Sequence, residues 1–316
     1  MIAKVFKTYN QQLRILRSRG LNVPTNGGPK RILEKENYYN LINGYKELFI
    51  DTPKTTTAEE QYKAGAHFYE IYALYKFDIE LRLIFLKRIL RVENNIKSAI
   101  AYEFSKKYGH DNYLQSSNFN QNPGSYRTSK KIVDLIQTIS KLIIDQSSKH
   151  DSIKHYKSVH GYVPLWVLMN IMTFGKVSKF YDLMKQLDKQ TISKKYNIHD
   201  NELSKILGVL TLCRNKCAHD ERFYDFVSPK ISIINNWVHN SMSIPVRQNG
   251  PIHGKKDLFA CLIALRVLLN KSEISKMTKE INKSVDALSK KLDVISIDDI
   301  INKMGFPSNW IDISKI

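Results

Sequence analysis

The sequence is poor in residues that break or cross-link a chain: 3 cysteines, 13 glycines and 9 prolines in 316 residues. Cys213, Cys217 and Cys261 are odd in number and form no CxxC pair. That excludes a disulfide framework and fits a reducing compartment. Cys213, Cys217 and His219 sit close together, but the usual zinc spacing is missing and no second ligand cluster follows. The cysteines read as small packing residues, and no metal or cofactor is expected. Long apolar runs are also lacking. The opening MIAKVFKTYNQQLRILRSRG has no apolar block of a secretory signal. LFACLIALRVLL at 258–269 is too short to span a bilayer and carries Arg266, so it reads as a core helix. A soluble, cytoplasmic protein without a membrane partner is the expectation. There is no glycine-rich phosphate loop, since NGGPK lacks the spacing, and no serine nucleophile elbow. Acidic charge is scarce as well. Forty-nine Lys+Arg against 30 Asp+Glu leave a net +19, which favours a polyanionic partner over an inert basic surface.

What remains is helical. Apolar residues make up 42% of the chain, enough for a folded core. Glycine and proline fall between segments of helical period, and no clean alternation is long enough for a strand. Thr8 is placed to cap a helix that turns Leu13 and Leu16 inward and stops at Gly20. KRILEKENYYNLINGYKELFI gives two short helices with breaks at Asn37 and Gly44. Ala58 to Tyr108 is the most strongly helical stretch, with apolar residues too dense for one stripe, so it should be covered on more than one side. Residues 109–125 read as a polar loop and 130–146 as an amphipathic helix. VPLWVLMNIMTFGKVSKFYDLMKQL reads as two helices broken near Gly175, and His150, His155 and His160 as surface residues. ELSKILGVLTLCRNKCAH faces Leu203, Ile206, Leu207 and Leu210 inward. Residues 223–252 are irregular; two more helices and a short tail follow. The fold class is therefore all-α, a multi-helix bundle. A division into 1–110, 111–226 and 227–316 is the working organisation, with one continuous domain as the alternative.

The chemistry concentrates in TLCRNKCAHDERFYDF at 211–226, where a buried-looking helix ends in charged and hydrogen-bonding groups. Arg214 and His219 form an R-x4-H pair. Five residues rotate by about 140° on a helix, so these two do not share a face, whereas Asn215 and His219 do. Arg214 and His219 converge only if the helix ends near Ala218 or if the site lies between two chains. The plain alternative is a helix-terminal histidine stabilised by the dipole. The functional reading suits RNA, which carries its own nucleophile in the 2′-hydroxyl. Histidine titrates near pH 6.5 and serves as base or acid, and an arginine fork braces the crowded phosphate. Asn215 would orient His219 or the phosphate. Lys216 and Arg222 add positive charge beside them. Residues 1–35 hold Lys4, Lys7, Arg14, Arg17, Arg19, Lys30, Arg31 and Lys35 against the single acid Glu34, with Tyr9, Tyr38 and Tyr39 nearby. Basic charge among aromatics suits a single-stranded nucleic-acid track, or else a solvated helix face. A second basic stretch lies at 176–195.

Four stretches, in order, resemble the Abi-like proteins of bacterial abortive infection, of the AbiD/AbiF type. They are LRILRSRGL with NYYNLINGY, then FYEIYALYKFDIELRLIFLKRILRVENNIKSAI, VPLWVLMNIMTFGKVSKFY and LCRNKCAHDERFYDF, together covering about residues 8–226. The last also resembles the R-x4-6-H motif of the HEPN superfamily, many of whose members are metal-independent ribonucleases with sites built from two copies of the motif. That resemblance implies a HEPN-like helical domain, with Arg214 and His219 catalytic and Asn215 supporting. One motif per chain implies a homodimer. It implies an RNA-cleaving phage-defence toxin, or alternatively a non-catalytic RNA-binding protein that holds a small non-coding RNA.

Overall fold

Polar caps and left-handed turns set the helix ends. In the computed structural model, which describes residues 5–55, 60–121 and 125–316, α1 (Tyr9–Ser18) starts at Thr8. The Thr8 hydroxyl accepts the Gln11 amide, and the Gln11 side chain accepts the Thr8 amide in return. Leu13 and Leu16 are buried as expected. The helix closes at Gly20, whose φ of +86° suits only glycine readily. There the Leu21 amide reaches back to the Leu16 carbonyl. Next comes α2 (Gly28–Lys35), with Pro29 in its first turn. The break near Asn37 is present, but Gly44 is helical (φ −70°, ψ −30°) and the second break falls at Lys46; between them lies a π-helical turn, Tyr39–Asn43, and after them a 3-10 turn, Glu47–Phe49.

The centre of the fold is α3 (Phe68–Tyr108), 41 residues without a break. It begins later than expected. His67 caps it, accepting the Tyr69 amide on Nδ1 while Glu70 accepts the His67 amide. Residues 60–67 are instead non-helical, turning at Ala64–Gly65 between two isolated bridges, Ile50 to Tyr62 and Asn22 to His67; residues 58 and 59 lie outside the described residues. At 1.5 Å per residue α3 is about 60 Å long. Leu74, Leu81, Phe85, Ile89, Ile96 and Ile100 are fully buried, each contributing about 1.5–3 kcal/mol of burial.

Around it lie α4 (Tyr126–Gln146), α5 (Asp151–His160), α6 (Leu165–Ile171), α7 (Phe174–Leu183), α8 (Gln186–Ser193) and α9 (Asp200–Ala218). Then follow α10 (Trp237–Ser241), α11 (Leu258–Leu268), α12 (Lys271–Ser289) and α13 (Ile297–Lys303). Helices α6, α8, α9 and α12 all pack on α3, so it is covered on several sides, as its apolar density predicted. Helices α6 and α7 part at Met172–Thr173 rather than at Gly175. Thr173 caps α7 by accepting the Lys176 amide, and Gly175 lies inside the first turn.

The stretch after Tyr108, expected as a polar loop, contains two 3-10 turns pinned by buried Tyr113 and Phe119. The Tyr113 hydroxyl donates to the Val163 carbonyl at 2.7 Å. His155 and His160 are exposed, on α5, a helix the histidines alone did not signal. Residues 223–252 are mostly irregular, with α10 and a two-residue hairpin pairing Val246–Arg247 with Gly250–Pro251. The tail adds α13 and a 3-10 turn at Trp310–Ser314. In α11 every residue except Arg266 is buried, and Arg266 lies over the Trp237 ring at 4.8 Å. Among the described residues no helix is long and apolar enough to cross a membrane. One apolar core joins residues from Leu13 to Ile313 and runs through all three expected segments. The class is all-α, a multi-helix bundle.

Candidate functional site

Helix α9 buries Leu203, Ile206, Leu207 and Leu210, as its period predicted, and the same face carries Cys213 and Cys217 into the core beside Cys261. Burial pushes the Cys213 and Cys217 thiols up. The apolar face persists to Cys217, so the helix surfaces only in its last turn. His219 is the C-cap residue, and its amide donates to the Asn215 carbonyl at 3.0 Å. Asp220 follows with φ +57°, and the Glu221 amide reaches the Lys216 carbonyl at 3.1 Å. This is the closure seen at Gly20, with an aspartate in the left-handed position that glycine usually fills.

A buried pair on α3 holds that turn in place. Asp78 and Arg82, one helical turn apart, lie 3.0 Å from each other and are almost wholly buried. Arg82 donates to the Glu221 carbonyl at 3.0 Å and pairs with Asp220. Asp78 accepts the Phe223 amide at 3.0 Å, the Tyr224 amide at 2.6 Å and the Tyr45 hydroxyl at 2.6 Å. Burial pushes the Asp78 carboxyl up to about 6, against the opposing Tyr45 hydrogen bond, the Arg82 charge and the two amides. Burial, then the neighbouring Asp78, pushes the Tyr45 phenol far up. The segment after His219 is thus tied to α3 through its backbone.

His219 opens onto a cleft of about 480 Å³. Its walls include Lys216 and Arg222 from the 211–226 segment and Tyr39, Asn40 and Asn43 from the π-helical turn. That turn inserts an extra residue per turn, a feature frequent at functional sites; Leu41 and Ile42 face inward while Tyr39, Asn40 and Asn43 stay exposed. Lys216 pairs with Glu221 at 3.2 Å. Arg222 donates to the Gly44 carbonyl at 2.7 Å and pairs with Asp225 at 2.5 Å. Both expected RNA contacts therefore reach the cleft but carry internal partners.

Arg214 goes elsewhere. It is not among the cleft-lining residues, and its Nε lies 3.8 Å from Glu93 of α3, itself 2.8 Å from Lys97. Neither the Arg214 Nε nor the Glu93 Oε2 makes a hydrogen bond. Helix α9 does end at Ala218, but Arg214 and His219 do not converge within the chain, because the helix is regular between them. Asn215 is exposed, one turn before His219.

Of the N-terminal basic residues, Lys4 lies outside the described residues. Lys7, Arg14 and Arg31 are exposed. Arg17 donates to the Val23 and Pro24 carbonyls, Arg19 pairs with Glu60 at 2.9 Å, and Lys30 with Glu34 at 3.6 Å. Arg14, Arg17 and Lys30 line a separate cavity of about 360 Å³ between α1 and α2. Sequence reasoning missed Asp78, Arg82, Glu93 and the cleft-lining Asn40, Asn43 and Tyr75; Tyr39, read as part of the N-terminal basic track, lines the His219 cleft instead. One signal was available: Asp78 and Arg82 interrupt the run Phe77, Ile79, Leu81, Leu83 at i,i+4 spacing, a charged pair where only apolar residues were called for.

The site is the polar end of a core helix, clamped by a buried ion pair and facing a cleft, in an all-α protein. The chain belongs to the Abi-like protein family, whose model matches residues 31–225, well over half of its length. The family is one of abortive infection, a bacterial defence against phage. The match ends just past the R-x4-H segment and begins after α1, leaving LRILRSRGL outside it. No curated protein and no solved structure matches the chain significantly.

Proposed function

We propose that this chain is an abortive-infection endoribonuclease of the HEPN type, working as a homodimer without metal. The observation that carries the reading is the exposed His219 at the end of α9, opening onto a cleft that also presents Lys216 and Arg222. Histidine at a neutral-pH site takes the proton from the 2′-hydroxyl. The 2′-oxygen then bonds to phosphorus, the bond from phosphorus to the 5′-oxygen breaks, and the 5′-oxygen takes a proton from an acid. The products are a 2′,3′-cyclic phosphate and a 5′-hydroxyl. One chain offers a single exposed histidine in the motif, so the second proton-transfer group comes from His219 of a second copy across a two-fold axis. Arg214 supplies the phosphate brace from such a paired arrangement, and Asn215 orients His219. The test is cleavage of RNA by purified protein in EDTA, wild type against His219→Ala. Equal cleavage by the two would remove His219 from the chemistry.

A second reading has its own observation. Arg214 is engaged with Glu93 rather than standing free beside His219. That favours a non-catalytic protein that holds a small non-coding RNA through its basic surface. RNA that stays intact in the same assay while binding tightly selects this reading.

A further inference from the structure

An aromatic-edged groove lies between α3 and α6, with a volume of about 530 Å³ and none of the His219 cleft residues in its lining. Its α3 wall is Asn94, Lys97, Ser98, Ala101, Tyr102, Ser105 and Lys106. These positions recur at intervals of three and four and so form one continuous face, about 18 Å long. Trp166, Met169 and Asn170 form the α6 wall by the same rule. Two large aromatic rings that could have been buried are not: Tyr102 is 63% and Trp166 49% exposed. The lining contains two lysines and no carboxylate. Lys106 is exposed and has no ion pair among the described residues, and Lys195 stands over the Tyr102 ring at 5.9 Å. The Ser105 hydroxyl is buried without a hydrogen-bond partner. Asn94 and Asn170 add exposed carboxamides.

We propose that this groove binds single-stranded RNA, with unstacked bases laid on Tyr102 and Trp166. Aromatic faces take any base, carboxamides and hydroxyls meet base edges and the 2′-hydroxyl, and lysines meet phosphates. A peptide occupant would call for a more continuous apolar floor; here only Ala101 and Met169 are apolar and non-aromatic. Lys97 is paired with Glu93 and Lys195 with Glu103, so Lys106 is the lining's cation without an ion pair among the described residues, and the net charge of +19 gives a polyanion the advantage at a lining without carboxylates. The groove also adjoins the R-x4-H segment chemically. Lys97 lines it and pairs with Glu93, and Glu93 faces Arg214. RNA phosphate drawing Lys97 away would leave Glu93 wholly to Arg214. The inference rests on the RNA reading above, but not on cleavage.

The test uses a fluorescein-labelled 2′-O-methyl oligouridylate of about twelve nucleotides, whose capped 2′-oxygen cannot attack, in a low-salt anisotropy titration of the full chain. Tyr102→Ala/Trp166→Ala should raise Kd at least about tenfold, given the usual strength of base–aromatic stacking. Trp166→Phe, which keeps a stacking face, should stay within about threefold. Lys106→Glu, an exposed change that leaves the packing alone, should also weaken binding and guards against misfolding of the double variant. Wild-type affinity in both Tyr102→Ala/Trp166→Ala and Lys106→Glu overturns the groove while leaving RNA binding in place. A wild-type protein that ignores the oligonucleotide removes the RNA reading itself, and the groove with it.

Discussion

Arg82 reaches from the middle of α3 to the side chain of Asp220, 138 residues further along the chain and next to His219. With Asp78 it fixes the left-handed turn on which the candidate site stands. The site is therefore held by the longest helix of the fold rather than by its own loop.

Arg82→Ala should destabilise the protein by roughly 3–5 kcal/mol, because it leaves the Asp78 carboxylate buried without its cation. Urea unfolding at neutral pH measures this. A loss below about 1 kcal/mol would show that the pair does not hold the turn.

Asp78 also makes stability depend on pH, with a definite sign. Its carboxyl is pushed up to about 6 in the fold, against an ordinary 3.8. Between those values the folded chain binds the proton that the unfolded chain has released. The contribution is fully present below about pH 4 and is lost as pH rises through 6, with a slope of at most about 1.4 kcal/mol per pH unit. Relative to Asp78→Asn, the wild type should lose stability across this window. A gain over the same window would contradict the raised carboxyl.

His219→Ala should abolish phage protection while changing stability by no more than about 0.5 kcal/mol, since the side chain is exposed. Arg214→Ala should abolish protection too, but not at the same stability. Arg214 is only 30% exposed and faces Glu93, which would keep Lys97 alone as its partner; a cost of about 1 kcal/mol is expected. Plaque assays with thermal melts separate the two effects. Folded, fully protective variants would end the nuclease proposal.

Two chains should form one site. Light scattering across a concentration series, with and without RNA, should report a dimer. Mixing His219→Ala with Arg214→Ala chains should restore part of the cleavage if each chain completes the other's site. A strict monomer that cuts RNA would require catalytic groups outside the 211–226 segment.

RNA binding should weaken steeply with salt, by about 0.7 in log–log slope for each phosphate neutralised on a single strand. Lys216 and Arg222 are already paired within the chain, so exposed Lys7, Arg14, Arg31 and Lys106 should contribute more of the slope. A flat salt profile would contradict a phosphate-based contact.

The all-α class, the inward face of α9 and the caps at Thr8 and Gly20 could be read from the sequence alone. Helical period and capping are local, and each is written within a few residues. The composition likewise set the basic character, and the R-x4-H segment stood out because charge ends an apolar run. Tertiary structure decided the rest. That Arg214 turns to Glu93 while His219 faces Tyr39 and Asn43 depends on which helices flank α9, and no local pattern records it. Asp78 and Arg82 could be seen as a pair at i,i+4 but not as the anchor of residues 220–224, since that contact closes about 140 residues of chain. The groove at Tyr102 and Trp166 exists only because α6 lies beside α3. Packing, not periodicity, leaves those two rings in water.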